Sequence, residues 1–270
     1  MKRLIYQVCL GEQRNSKLYR SCIESVQKYC ERNDIEHIVQ TKPRLMVKPD
    51  IFLTNRSRES YEKHGGFLPI YEKENAFDLL DEYDQIAIVD ADIYIRDDAP
   101  NIFDDFDVTH AWGGVTERLM PITPEYRRKI LNYSHMQYDV LHKKKKIDFN
   151  PNSSGYEFMN MGLIVINSKL FKPYLSGQNA KQFITRNEFK DFVDGQGPWK
   201  WSTDQTLLNF FLKKYEVPVK QLSWKYNALY KGVFDDKIPE AYFIHFFLKD
   251  KLPDRGENVK QLMGDINGST

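Results

Sequence analysis

The chain has 270 residues, of which 41% are hydrophobic and 14% aromatic, and a formal net charge of +1. That length suits one large domain with a sizeable core, and the near-neutral balance argues against bulk electrostatic capture of nucleic acid. No apolar run is long enough to span a membrane, and the basic head Met1-Lys2-Arg3 meets polar Gly11-Glu12-Gln13 before a signal-peptide core develops. Cys9, Cys22 and Cys30 lack both metal-site spacing and an even count, and read as reduced thiols of a cytoplasmic protein. Peripheral contact with a membrane stays open.

Residues 4–10 read as a buried strand and 11–16 as a loop. Residues 17–32 place Leu18, Cys22, Val26 and Tyr29 on one helical face, and 35–40 form a second strand. Strand, helix and strand in that order make a βαβ unit, so the sheet is parallel at this end. On topology alone, Leu10, Gly11 and Arg14 in the first loop become candidate nucleotide neighbours. Residues 41–70 are irregular, broken by Pro43, Pro49 and Pro69, with a helix expected over 56–64; a helix over 73–83 follows.

Ile86, Ala87, Ile88 and Val89 form an unbroken apolar run, the pattern of a strand buried on both faces. It ends in Asp90-Ala91-Asp92. Residues i and i+2 of an extended chain point to the same side, and the carboxyl end of a central strand is where α/β folds place ligands. Two carboxylates that close repel unless a cation lies between them, and a hard divalent ion such as Mg²⁺ or Mn²⁺ would satisfy them and bridge to a diphosphate. By themselves the same residues also describe a solvated acidic turn, since Asp105 and Asp107 repeat the spacing with no strand before them.

Residues 101–106 are expected as an acidic turn and 107–112 as a strand ended by Gly113-Gly114. The pattern weakens over 115–156, which holds the four lysines 143–146. A solvated loop is the plain account of them; the functional one is a segment meeting an anionic acceptor or a lipid phosphate. Asn160 opens a strong strand over 161–167, and a helix is expected over 181–192. Trp199 and Trp201, in a Gly/Pro loop, suit either packing or a sugar-stacking platform. The helix over 203–214 carries Asp204 and Gln205 in its first turn, where acidic groups favour a helix N-terminus. Strands over 217–222 and 241–247 follow, the latter containing His245. Residues 1–254 read as a single domain and 255–270 as a polar tail expected to fray.

Taken in order, the strand ending in Asp90-x-Asp92, Asn160-Met161-Gly162, Ser202-Thr203-Asp204-Gln205-Thr206-Leu207-Leu208-Asn209, Tyr226-Asn227 and Ile244-His245-Phe246 resemble the GT-A glycosyltransferases. The nearest pattern is that of glycosyltransferase family 8, the group of glycogenin and the bacterial lipopolysaccharide hexosyltransferases. That family writes a D-x-D, an N-A/S-G, a D-Q before L-L-N, a Y-N, and H-F-x-G-x-x-K-P-W near the end. Here His245 and, six places on, Lys251 are kept, whereas the family's glycine is Leu248 and its P-W is Leu252-Pro253. The resemblance covers about residues 67–253.

The resemblance implies an α/β fold of the GT-A type, a mainly parallel sheet flanked by helices. It also implies a nucleotide sugar donor, with uridine diphosphate glucose or galactose favoured, and a glycan or lipid-linked saccharide acceptor. Asp92 and His245 would be ligands of Mn²⁺ (or Mg²⁺), with Asp90 spanning metal and ribose and Ala91 beside it. Lys73 and Lys251 would add positive charge at the phosphates. Asn160 and Asp204 would hold sugar hydroxyls, and Gln205 would lie beneath the anomeric carbon, implying retention. Two rivals share the residues. A phosphatase of the haloacid dehalogenase type would use Asp90 as nucleophile and Asp92 as acid and base, and a non-catalytic protein would bind a nucleotide sugar or glycan without turnover.

Overall fold

The computed structural model describes residues 1–53 and 58–267. A six-stranded sheet forms the centre, in the order β2-β1-β3-β6-β5-β7. Its strands are β1 (Arg3–Val8), β2 (Glu36–Gln40), β3 (Gln85–Val89), β5 (Trp112–Thr116), β6 (Met159–Asn167) and β7 (Val219–Gln221). β1 pairs in parallel with β2 and β3, and β5 with β7; of these six strands, β6 runs against its two neighbours. The sheet is therefore mixed but mainly parallel, as the sequence implies. A smaller sheet joins β4 (Ile93–Ile95), β9 (Phe243–His245) and β8 (Ala228–Leu229) in the order β4-β9-β8. Every residue of β3 and β6 is buried, which is why Ile86–Val89 and Leu163–Ile166 read as unbroken apolar runs.

The reversal of β6 positions the site. β3 ends, and β6 begins, at the same edge, where Asp90 N–H donates to Gly162 O at 2.8 Å. The helix Lys17–Asn33 crosses over from β1 to β2 with Leu18, Cys22, Val26 and Tyr29 buried. All three cysteines are buried free thiols.

Several elements differ from expectation. The 73–83 helix is an 11-residue 3₁₀ stretch, Pro69–Leu79. Its Glu72 turns inward to accept from the backbone N–H of Arg44, Leu45 and Met46 and from Gln40 Nε2, so side-chain bonds to the preceding loop fix this segment. The helix expected over 181–192 is split into Ala180–Ile184 and Lys190–Asp194. The strand expected over 107–112 instead runs Trp112–Thr116 and includes Gly113 and Gly114. A Cβ on Gly113 would come within 2.8 Å of the Phe106 ring and one on Gly114 within 2.9 Å of Met159 Sδ. These glycines permit close packing within the strand.

The longest difference is the 20-residue helix Pro124–Lys143, where the sequence pattern is weak. Its start is nonetheless legible: Thr123 caps Tyr126 N–H and Pro124 occupies the first turn. The tail does not fray through residue 267. The helix Val259–Asn267 buries Leu262 and Ile266, and Glu257 accepts from Lys17 N–H. A helix Arg58–Lys63 falls in the stretch expected over 56–64, of which Arg56 and Ser57 lie outside the described residues. Among the described residues, no helix is long and apolar enough to cross a membrane.

Candidate active site

Asp90 and Asp92 leave β3 on either side of the tight step into β4. β9 pairs with β4 in antiparallel register, which sets His245 opposite Ile93. Ligand atoms of Asp90, Asp92 and His245 therefore lie within 4.8 Å of one another. His245 Nε2 is 3.4 Å from Asp92 Oδ1 and 3.7 Å from Asp90 Oδ2. Its Nδ1 faces Asn227 Oδ1 at 3.1 Å. Two carboxylates and an imidazole whose second nitrogen is already bonded make a donor set that fits a divalent ion of the Mg²⁺ or Mn²⁺ kind.

Lys73 closes the other side. Its ammonium lies 3.0 Å from Asp90 Oδ1 and 2.8 Å from Asp204 Oδ2, and donates to Met161 O at 2.5 Å. Burial alone would lower this lysine, but Asp204 and Asp90 outweigh it and hold the ammonium well above the usual range. Burial raises the Asp90 carboxyl despite Lys73 and His245. Burial would likewise lower His245, and the Asp92 and Asp90 carboxylates reverse that to a net rise.

Asp204 and Gln205 sit in the first turn of the helix Asp204–Lys214, which Thr203 caps. Gln205 Oε1 accepts from Met161 N–H at 3.3 Å, so the amide lies against the start of β6. Asn160 is tied more tightly: its Nδ2 donates to Glu117 Oε1 at 2.6 Å, and its Oδ1 accepts from Gly162 N–H and Asn227 Nδ2, both at 2.9 Å. A Cβ on Gly162 would fall 2.3 Å from His245 Cε1, so glycine is needed there to admit the imidazole.

Two clefts meet at these residues. The larger, about 740 Å³, runs under the first loop past Leu10, Gly11, Tyr19 and Ala91. The smaller, about 410 Å³, is bounded by Glu117, Tyr126, Tyr133, Asn160, Gln205 and Phe247. Lys73, Asp90, Asp92, Thr203 and Asp204 line both.

Some expected residues are elsewhere. Lys251 is not brought to either cleft; its ammonium pairs with Glu125 at 3.0 Å on the surface. Lys249 also lines neither cleft but lies nearer, with Nζ 3.7 Å from Asp92 Oδ2, 4.0 Å above the Tyr19 ring centroid and bonded to Tyr19 Oη. The two lysines bound a single 3₁₀ turn, Lys249–Lys251, in which side chains two apart point in different directions. Burial lowers Lys249 to about 8. Arg14 is exposed and lines neither cleft. Trp199 is buried, with Nε1 donating to Gln137 O, so it serves packing. Lys143 ends a helix, and Lys145 and Lys146 line a separate cavity of about 960 Å³ with Glu157 and Lys213.

Glu117, Lys249 and Asn227 stand at the site without a role that their sequence context assigns. Asn227 was visible as part of Tyr226-Asn227, and Lys249 as a second lysine beside Lys251. Glu117 carries no local signal, because the bend that buries it depends on β5 meeting β6 through a register shift after Gly114.

No protein-family model matches the chain, and no curated protein sequence matches it. Solved structures do. The chain is similar to a glycosyltransferase involved in glycosylation of the major capsid of the virus PBCV-1, with a TM-score of 0.55, 11% identity, and 97% of this chain and 100% of that one covered. It is also similar to mouse xyloside xylosyltransferase 1, with a TM-score of 0.50, 13% identity, and coverage of 94% and 100%. At these identities the likeness is one of fold, and the fold is the GT-A fold of glycosyltransferases.

Proposed function

We propose that this protein is a metal-dependent glycosyltransferase, resembling family 8, that moves a hexose from a nucleotide diphosphate sugar to a glycan or other hydroxyl acceptor with retention. Uridine diphosphate glucose or galactose is the donor we favour, and a glycan or lipid-linked saccharide the acceptor. The observation that carries the reading is the meeting of Asp90, Asp92 and His245 between two clefts that share Lys73 and Asp204. Residues 1–254 would act as one catalytic domain. The buried thiols support a cytoplasmic setting, with peripheral membrane contact compatible.

The larger cleft, under the first loop, suits the nucleotide, and the smaller one suits the acceptor. Asp90, Asp92 and His245 would hold a divalent ion, whose chemistry there would be Lewis-acid neutralisation of the departing diphosphate. Lys249 adds a cation on the nucleotide side, in the place expected of Lys251. Lys73 holds Asp90 and Asp204 in fixed positions. Gln205 is an amide and cannot serve as a base; its carbonyl oxygen, already oriented by Met161 N–H, can only stabilise positive charge at the anomeric carbon. The departing phosphate oxygen then takes the acceptor proton on the same face, which gives retention.

Donor hydrolysis assayed with uridine diphosphate glucose and galactose, with and without Mn²⁺, tests the reading. Metal-dependent release of sugar supports it. Donor binding without release would return the protein to the non-catalytic class, and phosphate release from small phosphoesters would favour the phosphatase.

A further inference from the structure

A chain of hydrogen bonds runs from Glu117 through Asn160 and Asn227 to His245, and every link has a fixed direction. Glu117 is 3% exposed and its oxygens accept from Asn160 Nδ2 at 2.6 Å and Tyr126 Oη at 3.1 Å. Gly162 N–H is a backbone donor and must meet an acceptor, which is Asn160 Oδ1 at 2.9 Å. These two anchors, one accepting and one donating, leave Asn160 a single amide orientation. The atom of Asn227 that faces Asn160 Oδ1 must then be Nδ2, at 2.9 Å. Asn227 Oδ1 is thereby turned to His245 Nδ1, at 3.1 Å, and that nitrogen must carry a proton. Asn227 is fully buried, so no water competes for the link.

We propose that Glu117, Asn160 and Asn227 form a positioning relay that fixes the proton of His245 on Nδ1 and leaves its Nε2 lone pair free for a cation held between Asp90 and Asp92. The proposal rests on reading these three residues as metal ligands. It makes Asn160 a residue that acts through His245, in place of the sugar contact the resemblance implies. Breaking such a partner of a metal-bound histidine weakens metal binding by about ten- to a hundredfold.

The test combines ¹⁵N NMR of histidine-labelled, metal-free protein, at a pH where the imidazole is neutral, with Mn²⁺ binding followed by electron paramagnetic resonance. His245 is assigned by difference with H245Q. The wild type is expected to show a proton on Nδ1. N227L and E117L should lose the Nδ1 preference, the proton moving toward Nε2 where Asp92 can accept it, and should bind Mn²⁺ about ten- to a hundredfold more weakly. N227D, which keeps an acceptor at Nδ1, should retain the wild-type tautomer, and E117Q, which keeps an acceptor for Asn160, should stay near wild type in both readouts. A residue of merely structural importance would lower Tm and move neither readout. Because E117L removes a buried charge, the N227L and N227D pair decides the matter if E117L does not fold. A wild type protonated on Nε2, or a folded N227L with unchanged tautomer and Mn²⁺ affinity, overturns the relay. A wild type that binds no Mn²⁺ yet carries its proton on Nδ1 removes the metal reading and leaves the relay standing.

Discussion

At the scale of single residues, charge at the site is balanced almost contact by contact. Asp92 faces His245 and Lys249, and Asp90 faces His245 and Lys73. Asp92→Asn should abolish Mn²⁺-dependent donor binding while leaving the melting temperature nearly unchanged; titration of the nucleotide with and without Mn²⁺ is the check, and unchanged metal-dependent turnover would refute the assignment. The two lysines give a sharper contrast. Lys249→Met should lower kcat/KM for donor hydrolysis by about ten- to a thousandfold, the range for one electrostatic group, whereas Lys251→Met, which loses only the surface pair with Glu125, should match the wild type. Gln205→Ala should lower kcat by roughly ten- to a thousandfold and preserve donor binding. The product should be α-linked when the donor is α-linked, as read from the anomeric proton coupling. A β-linked product would demand a base. Glu157 is held by Arg118 and Lys213 at the separate cavity, so the search would begin with Glu117 and Asp204.

At the scale of elements, the 3₁₀ stretch Pro69–Leu79 links loop and site, with Glu72 gripping the loop before it and Lys73 reaching the carboxylates. Glu72→Gln turns an all-acceptor group into one that also donates, against three backbone N–H groups, and should cost about 2 kcal/mol; a fall in Tm of roughly 5 °C would report it. The helix Pro124–Lys143 carries the lysine run away from both clefts, so replacing lysines 143–146 by serine should leave donor hydrolysis and acceptor KM alone. A raised acceptor KM would place the lysines beside the acceptor. What was legible in the sequence follows from these cases. β3 and β6 declare themselves because burial on both faces demands unbroken apolar residues, and Asp90, Asp92, Asp204 and His245 stand at fixed offsets from such elements. The 3₁₀ stretch, the choice of Lys249 over Lys251 and the burial of Glu117 depend on contacts between segments far apart in sequence, which no local pattern encodes.

At the scale of the whole molecule, the edge strand β2 ties stability to acidity. His37 donates to Gln7 Oε1 at 3.0 Å, and Gln7 Nε2 in turn donates to Asp90 O. Burial lowers His37 to about 4, below its ordinary 6.5. The unfolded chain therefore binds this proton more readily, and stability is lost as pH falls from about 6.5 to 4; above that window the contribution is full, and below it is gone. Allowing for partial solvent screening, the loss should be about 2 kcal/mol. Urea melts at pH 7 and pH 4.5 on the wild type and His37→Asn would show it as a smaller pH dependence in the variant; equal dependence would place the acid sensitivity elsewhere. The second sheet has a different consequence, one that concerns synthesis. Its middle strand β9 is made well after β3 and β4, and it brings the imidazole of His245 to a carboxylate pair already made at their junction. A nascent chain halted before Phe243 would hold Asp90 and Asp92 in place without His245, and would hold the ion weakly. If the three residues hold an ion, metal retention by stalled chains of increasing length should rise sharply once His245 has emerged and β9 can dock, so the ion would report the docking of β9.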